Sequence, residues 1–352
     1  MRVFIYNGGL RLVGKSGVGQ AIFHQREMLR RARIETTHHW LQKAGVVHIN
    51  TVLPDSVLAA LAAKLLGRKV VYYGHSTMED FRGSFRGSDK LAPLFRRWIT
   101  FCYGLGDVVL TPTDYSRRLL EGYGLKPPVY SISNGVDTDF FAPDPSRRAS
   151  FRRRWGLQEG ERAVISVGHT IARKGLPEFL DLAAQMPDVR FLWFGWTDPC
   201  LIPAEVREAM EQAPENVTFA GFVDRETLRE AYCGADAFAF MSHEETEGIV
   251  VLEALACGTQ VVCYDATAMP EIVTGEVGEV VPLGDIAALA DAVRRLCAAP
   301  RSADACRARA ADFEAGKCFS AYLKLYENMY RHSPAWQAAL EKAAGKAPAG
   351  GE

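Results

Sequence analysis

The chain has 352 residues, too many for one ordinary core, and at roughly 100–200 residues per domain it implies two. Its balanced composition, with a net charge of −1, is that of a soluble globular protein, and no nucleic-acid partner is expected. The longest apolar runs, AVISVG at 163–168 and FLWFGW at 191–196, fall far short of the 18 or so residues of a membrane span.

The charge is unevenly spread. Residues 1–150 carry 21 Lys/Arg against 12 Asp/Glu, and 151–352 carry 20 against 30. This split hints at different partners for the two halves, the plainer alternative being two solvated lobes. The eight cysteines include no C-x-x-C, and Cys102, Cys233, Cys257 and Cys297 sit among apolar residues, so reduced, buried thiols are expected. Neither they nor the scattered histidines have the spacing of a metal site, and no metal or other cofactor is expected.

MRVFIYN at the N-terminus alternates like a strand and lacks the regions of an export signal, which points to a cytoplasmic protein. Beyond it, β-rich runs alternate with helix-length segments: VVHINT, KVVYYGH, DVVLTPT and VYSIS, then AVISVG, VRFLWFG, NVTFAG, DAFAFM and QVVCYD. Such alternation predicts parallel sheets covered on both faces, a doubly wound α/β architecture. Ten strands with a break near 133–146 predict two sheets: residues 1–134, a linker at 135–146, and residues 147–318. An amphipathic helix over 319–335 is expected to complete the first domain, and 336–352 is expected to fray.

Several segments carry chemistry. After the first strand, GKSGVGQ places Gly14, Gly17 and Gly19 ahead of a helix, a weak glycine pattern that matches no standard phosphate loop. His75 ends the strand KVVYYGH. FRGSFRGS at 81–88 interleaves Phe81 and Phe85 with Arg82 and Arg86, which suits an anionic membrane surface. The helix that follows has Phe95 and Trp98 on an apolar stripe and Arg96 and Arg97 off it. That helix reads equally well as a core helix. The arginine-rich RRASFRRRW at 147–155 could extend the basic surface.

At 243–258, HEETEGIVVLEALACG sets acids before and inside an apolar run. Gly248 is expected to start a helix at a strand's carboxyl end, where open α/β sheets place ligands and where the N–H groups of the first turn, at Gly248, Ile249 and Val250, face an anion. Glu245 and Glu253, roughly 12 Å apart along a helix axis, could both touch one long ligand. A nucleoside diphosphate sugar fits: diphosphate on the amides, ribose on Glu253, sugar hydroxyls on Glu245. An acidic first turn stabilising the helix dipole explains Glu244, Glu245 and Glu247 but not Glu253.

The E-x7-E of Glu245 and Glu253, within ETEGIVVLEALACGTQVV, resembles the signature of the family-4 retaining glycosyltransferases. ISNGVDTDFFAP at 132–143, SVGHTIARKG at 166–175 and NVTFAGFVDRETLREAYCGAD at 216–236 match in the family's order. The resemblance implies a GT-B fold, two Rossmann-like domains facing each other across a cleft, and transfer of a hexose from UDP-glucose or UDP-galactose with retention. It implies that Lys174 neutralises the leaving diphosphate. His169 stands where the family has an arginine, and neighbouring Arg173 is the candidate substitute. His75 would contact the sugar, and the loop around Gly17 and Gly19 the donor phosphates or the acceptor. Glu247 replaces the family's aromatic, and Gln260 its proline.

Residues 75–116 resemble a subgroup that glycosylates diacylglycerol lipids, which implies a glycolipid acceptor such as monoglucosyl-diacylglycerol and a peripheral site on the inner face of the cell membrane. A soluble sugar acceptor, or a non-catalytic sugar-nucleotide-binding partner, stands as the alternative. A dinucleotide dehydrogenase is disfavoured because no G-x-G-x-x-G follows a strand.

Overall fold

All ten expected strands form, and they assemble into two six-stranded, wholly parallel sheets. The computed structural model describes residues 2–6, 8, 17–31, 33–37, 44–85 and 87–331. Arg86, the glycine-loop residues 9–16, and 332–352 with the expected tail lie outside the described residues. The chain divides into two compact units, residues 1–77, 94–134 and 315–352 in one, and 78–93 and 135–314 in the other.

In the first unit the strands are β1 (Arg2–Tyr6), β2 (Glu35–Thr37), β3 (Val46–Ile49), β4 (Lys69–Tyr73), β5 (Val108–Thr111) and β6 (Val129–Ser131), in the order β2-β1-β3-β4-β5-β6. The helices up to residue 134 are α1 (Gly17–Arg31), α2 (Pro54–Leu65), α3 (Met78–Phe81), α4 (Ser88–Gly104) and α5 (Asp114–Glu121), of which α3 and the start of α4 group with the second unit. Successive strand residues go to opposite faces. Val47, Ile49, Val70, Tyr72 and Val109 pack against Ala59, Ala60 and Ala63 of α2 and Ile99 and Cys102 of α4. Val3, Ile5, Val46, Val71 and Leu110 meet Leu29 of α1 and Phe319, Tyr322, Tyr326 and Met329 of the C-terminal helix, Ala315–Arg331. Burying each such aliphatic side chain is worth about 1.5–3 kcal/mol, which is why a nearly continuous apolar strand needs cover on both sides.

α2 is built inside out. Its inward positions are Ser56, Ala59, Ala60 and Ala63, whereas Leu58, Leu61 and Leu65 are 68%, 42% and 89% exposed. In α4 the sequence stripe splits: Phe95 packs against the core, and Trp98 Nε1 donates to Val52 O at 2.6 Å. Arg96 donates to Gly122 O and lies over the Tyr123 ring. Of the residues expected at a membrane on this helix, Phe95, Arg96 and Trp98 are thus held by the unit itself. Leu94, Arg97 and Phe101 form its exposed face.

The second unit contains α6 (Pro145–Arg154), β7 (Arg162–Val167), a 3₁₀ turn (Ala172–Lys174), α7 (Leu176–Ala184), β8 (Val189–Phe194), α8 (Ala204–Glu211), β9 (Val217–Gly221), α9 (Arg225–Gly234) and β10 (Ala237–Phe240). It continues through α10 (Ile249–Ala256), β11 (Val261–Tyr264), α11 (Met269–Ile272), β12 (Gly278–Val281), α12 (Ile286–Ala298) and α13 (Ala303–Asp312). Its sheet order is β12-β11-β10-β7-β8-β9. The winding reverses between β7 and β10, so a crevice opens at their carboxyl ends.

One expectation is corrected here. Three of the arginines of 147–155 are not free to form a basic surface, because α9 and the turn after it supply acids opposite them. Arg147 pairs with Glu226, Arg148 with Asp236 and Arg154 with Glu230. The segment 135–146, expected as the linker, is well packed: Val136 and Phe141 are fully buried, and Val136 bridges in parallel to Glu314. Residues 78–93, read from sequence as part of the first domain, group with the second unit. One cause is the ion pair between Asp80 and Arg173.

Candidate active site

The two loops at the β7/β10 switch point carry opposite charges and are laced together by backbone. Gly168 to Gly175 follows β7, and Met241 to Gly248 follows β10. His243 N donates to Arg173 O at 2.8 Å, and Ser242 Oγ donates to the same carbonyl at 3.4 Å and to Glu244 O within its own loop at 2.9 Å. Gly175 has φ +77°, and a Cβ there would stand 2.2 Å from Met241 O, so only glycine permits this approach. Gly248 caps α10 with φ +80°, which turns the chain so that the first amides of that helix, at Ile249 and Val250, end the second loop.

Within this frame Lys174 Nζ forms an ion pair with Glu245. Burial works to raise the Glu245 carboxyl, but Lys174 and then Arg173 outweigh it and hold the group below its ordinary range. Arg173 Nη1 donates to Asp80 Oδ1 at 2.7 Å and to Glu244 O at 2.9 Å. Its Nε is buried with no hydrogen-bond partner. A planar guanidinium with one edge engaged and another donor open suits a further oxyanion.

His169 donates through Nδ1 to Trp196 O at 3.1 Å, and burial lowers its pKa. A neutral imidazole cannot supply the charge of the arginine whose place it holds, and the nearest guanidinium in this loop is that of Arg173. Glu247 is buried at 3% exposure ahead of Gly248. Glu253, one turn into α10, accepts from Tyr232 Oη at 2.9 Å, and burial pushes its pKa up to about 7. Gln260 is fully engaged by the fold: it donates to Asp236 O and Leu296 O and accepts from Arg301 N.

His75 stands two residues beyond β4 in the first unit. Its Nε2 lies 3.1 Å from Asn50 Oδ1, its ring is 4.2 Å from that of Tyr73, and Asn50 exchanges two hydrogen bonds with Gln25. Burial, with His48 nearby, pushes its pKa down to about 3, so it is a neutral hydrogen-bonding group. Gly17 and Gly19 lie in the first turn of α1. Phe81 ends α3 and meets Phe85 edge to face at 5.2 Å, with Arg82 exposed beside them.

The structure therefore brings together Arg173, Lys174, Glu245, Glu247 and the start of α10. Sequence reasoning missed Asp80 and Tyr232, whose partners are distant in sequence. Among the described residues no group of three or more His, Cys, Asp or Glu is placed to hold a metal ion, and no helix is long and apolar enough to cross a membrane.

This arrangement has relatives. Residues 11–140 match the family described as Glycosyltransferase Family 4, and residues 147–313 match Glycosyl transferases group 1. The chain is 36% identical over 268 residues to the processive diacylglycerol alpha-glucosyltransferase of Acholeplasma laidlawii, covering 75% of this chain and 79% of that one. It is 26% identical to the alpha-galactosylglucosyldiacylglycerol synthase of Streptococcus pneumoniae, covering 78% and 75%. Among solved structures, Anabaena HepE in complex with UDP-glucose superposes with TM-score 0.72 over 93% of this chain and 99% of that one, at 18% identity. The paired doubly wound sheets are thus those of a GT-B enzyme, and the chain belongs to glycosyltransferase family 4 as a hexosyltransferase.

Proposed function

We propose that the enzyme transfers glucose or galactose from a UDP-sugar, with retention at the anomeric carbon, to a sugar hydroxyl of a membrane glycolipid such as monoglucosyl-diacylglycerol. The observation that carries the donor half is the pairing of Arg173, with its buried unpartnered Nε, and Lys174 beside the first amides of α10. Departure of UDP concentrates negative charge on the β-phosphate, and preorganised cations and N–H groups there lower the barrier. In this reading Arg173, Lys174 and the amides of Ile249 and Val250 perform that task without a metal. Glu245 accepts from the sugar and Glu253 from the ribose. The solved relative holding UDP-glucose supports the choice of nucleotide.

The acceptor half rests on the diacylglycerol relatives and on α2. Its exposed leucines face away from the fold, and no Asp or Glu occurs between residues 56 and 78 or between 90 and 106. Lys64 and Arg97 are exposed beside the leucine stripe and the Leu94–Phe101 face respectively. Aliphatic side chains with cations and no acids suit the interface of an anionic bilayer. They oppose self-association, which would set like charges against each other. This peripheral surface would lie on the inner, cytoplasmic face of the membrane.

Incubating the enzyme with UDP-glucose or UDP-galactose and vesicles containing monoglucosyl-diacylglycerol tests the whole reading. A dihexosyl lipid with retained anomeric configuration by NMR is expected. Transfer only to water-soluble glycosides would replace the acceptor, and absence of any UDP release would leave a sugar-nucleotide-binding partner instead.

A further inference from the structure

Asp80 lies on the four-residue α3, which contributes no buried residue to any core. It nevertheless reaches the candidate phosphate site, 2.7 Å from Arg173. The next turn follows it in: a Cβ on Gly83 would sit 3.7 Å from Arg173 Cβ, so the backbone here lies along the arginine stem. Burial pushes the Asp80 carboxyl up and Glu245 adds to that, while Arg173 and Lys174 oppose it, which places all four groups in one electrostatic cluster.

Two cations thus face two carboxylates before any ligand is present. A diphosphate brings about two further negative charges, and in a site with little water an uncompensated carboxylate is costly. Glu245 is fixed by a loop whose His243 N and Ser242 Oγ both donate to Arg173 O. Asp80 is carried by a segment with no core of its own, so it is the one able to withdraw.

We propose that Asp80 is a resident counter-ion of the nucleotide-phosphate site, a positioning residue that holds Arg173 until the donor's diphosphate replaces it, and that this exchange releases residues 80–85 with Phe81 and Phe85. The proposal rests on the assignment of Arg173 to the donor phosphates. Donor binding is then coupled to the aromatic segment assigned to the membrane and acceptor. It orders the two substrates, the nucleotide sugar freeing the segment before the lipid engages it.

Calorimetric titration with UDP and with uridine separates the two claims. For the wild-type enzyme, UDP binds and uridine binds much more weakly. Asp80→Asn, which keeps the side-chain shape, tightens UDP binding roughly tenfold and leaves uridine unchanged, because a competing charge is removed only from the phosphate position. In an Arg173→Gln background the same Asp80→Asn substitution has no effect. Hydrogen exchange at amides 81–85 rises on UDP addition to the wild type and is already high in Asp80→Asn without UDP. A wild type that prefers UDP, combined with an Asp80→Asn variant of unchanged or weaker UDP affinity, or amides 81–85 that become more protected with UDP, overturns the role of Asp80 alone. Equal affinity for UDP and uridine, or no binding of either, overturns the phosphate assignment and this proposal with it.

Discussion

Tyr232 Oη donates to Glu253 Oε2 across 2.9 Å, joining α9 to α10 at a point where both side chains are buried. The bond stabilises a carboxylate that burial opposes, and burial prevails, with the pKa raised from 4.5 to about 7. Because the folded pKa lies above the unfolded one, the fold keeps the proton longer. The favourable contribution is complete below about 4.5 and is lost as pH rises through about 7. Glu253→Gln removes a penalty on the order of 2–3 kcal/mol at pH 8 and almost none at pH 4.5. Thermal melts at the two pH values check this. If Glu253 holds the ribose, the same variant raises KM for the UDP-sugar about tenfold.

Lys174→Ala leaves Glu245 buried without its ion-pair partner and removes a cation from the leaving group. We expect kcat to fall by roughly 10²–10³-fold, with a smaller change in KM, because the charge develops chiefly in the transition state. Steady-state kinetics with saturating acceptor vesicles provides the measurement. Equal losses in UDP affinity and turnover would instead assign Lys174 to ground-state binding.

His75 is expected to stay neutral from pH 5 to 9, since its pKa is pushed down to about 3. Its ring resonances should show no titration shift in that range. An inflection near pH 6.5 would mean that burial and the Asn50 contact are looser than described.

Replacing Leu58, Leu61 and Leu65 together by serine changes stability by no more than about 0.5 kcal/mol per site, because these side chains are exposed. Flotation with vesicles rich in anionic lipid should nonetheless drop several-fold, while turnover on acceptor in detergent micelles is retained. Unaltered flotation would move the membrane contact elsewhere.

Prolonged chelation with EDTA should leave turnover within about twofold, if Arg173, Lys174 and backbone amides carry the leaving-group charge. A loss restored by added Mg²⁺ or Mn²⁺ would transfer that task to a metal.

The strands legible in the sequence are those whose apolar runs are buried on both faces, such as AVISVG and QVVCYD. β2 and β12 escaped notice because each is a short edge strand paired on one side only, with too few residues to declare a period. The E-x7-E spacing and the ARKG turn were readable because the chemistry sits within one or two loops. Asp80 was not, since its meeting with Arg173 spans 93 positions and leaves no local pattern. For α4 the spacing gave an amphipathic helix but not its orientation: Trp98 donates to the Val52 carbonyl, and Arg97 and Phe101 face outward. The arginines of α6 misled for the same reason, their neutralising acids lying more than 70 residues away.

The close seating of Gly175 on the Met241 carbonyl has a thermodynamic meaning beyond its geometry. Two loops from different strands become a single stiff plate, so the repulsion between neighbouring cationic side chains is overcome once, during folding. A nucleotide arriving later meets charges already in register and has little reorganisation left to drive. A methyl group added at position 175 would transfer that cost to every catalytic cycle.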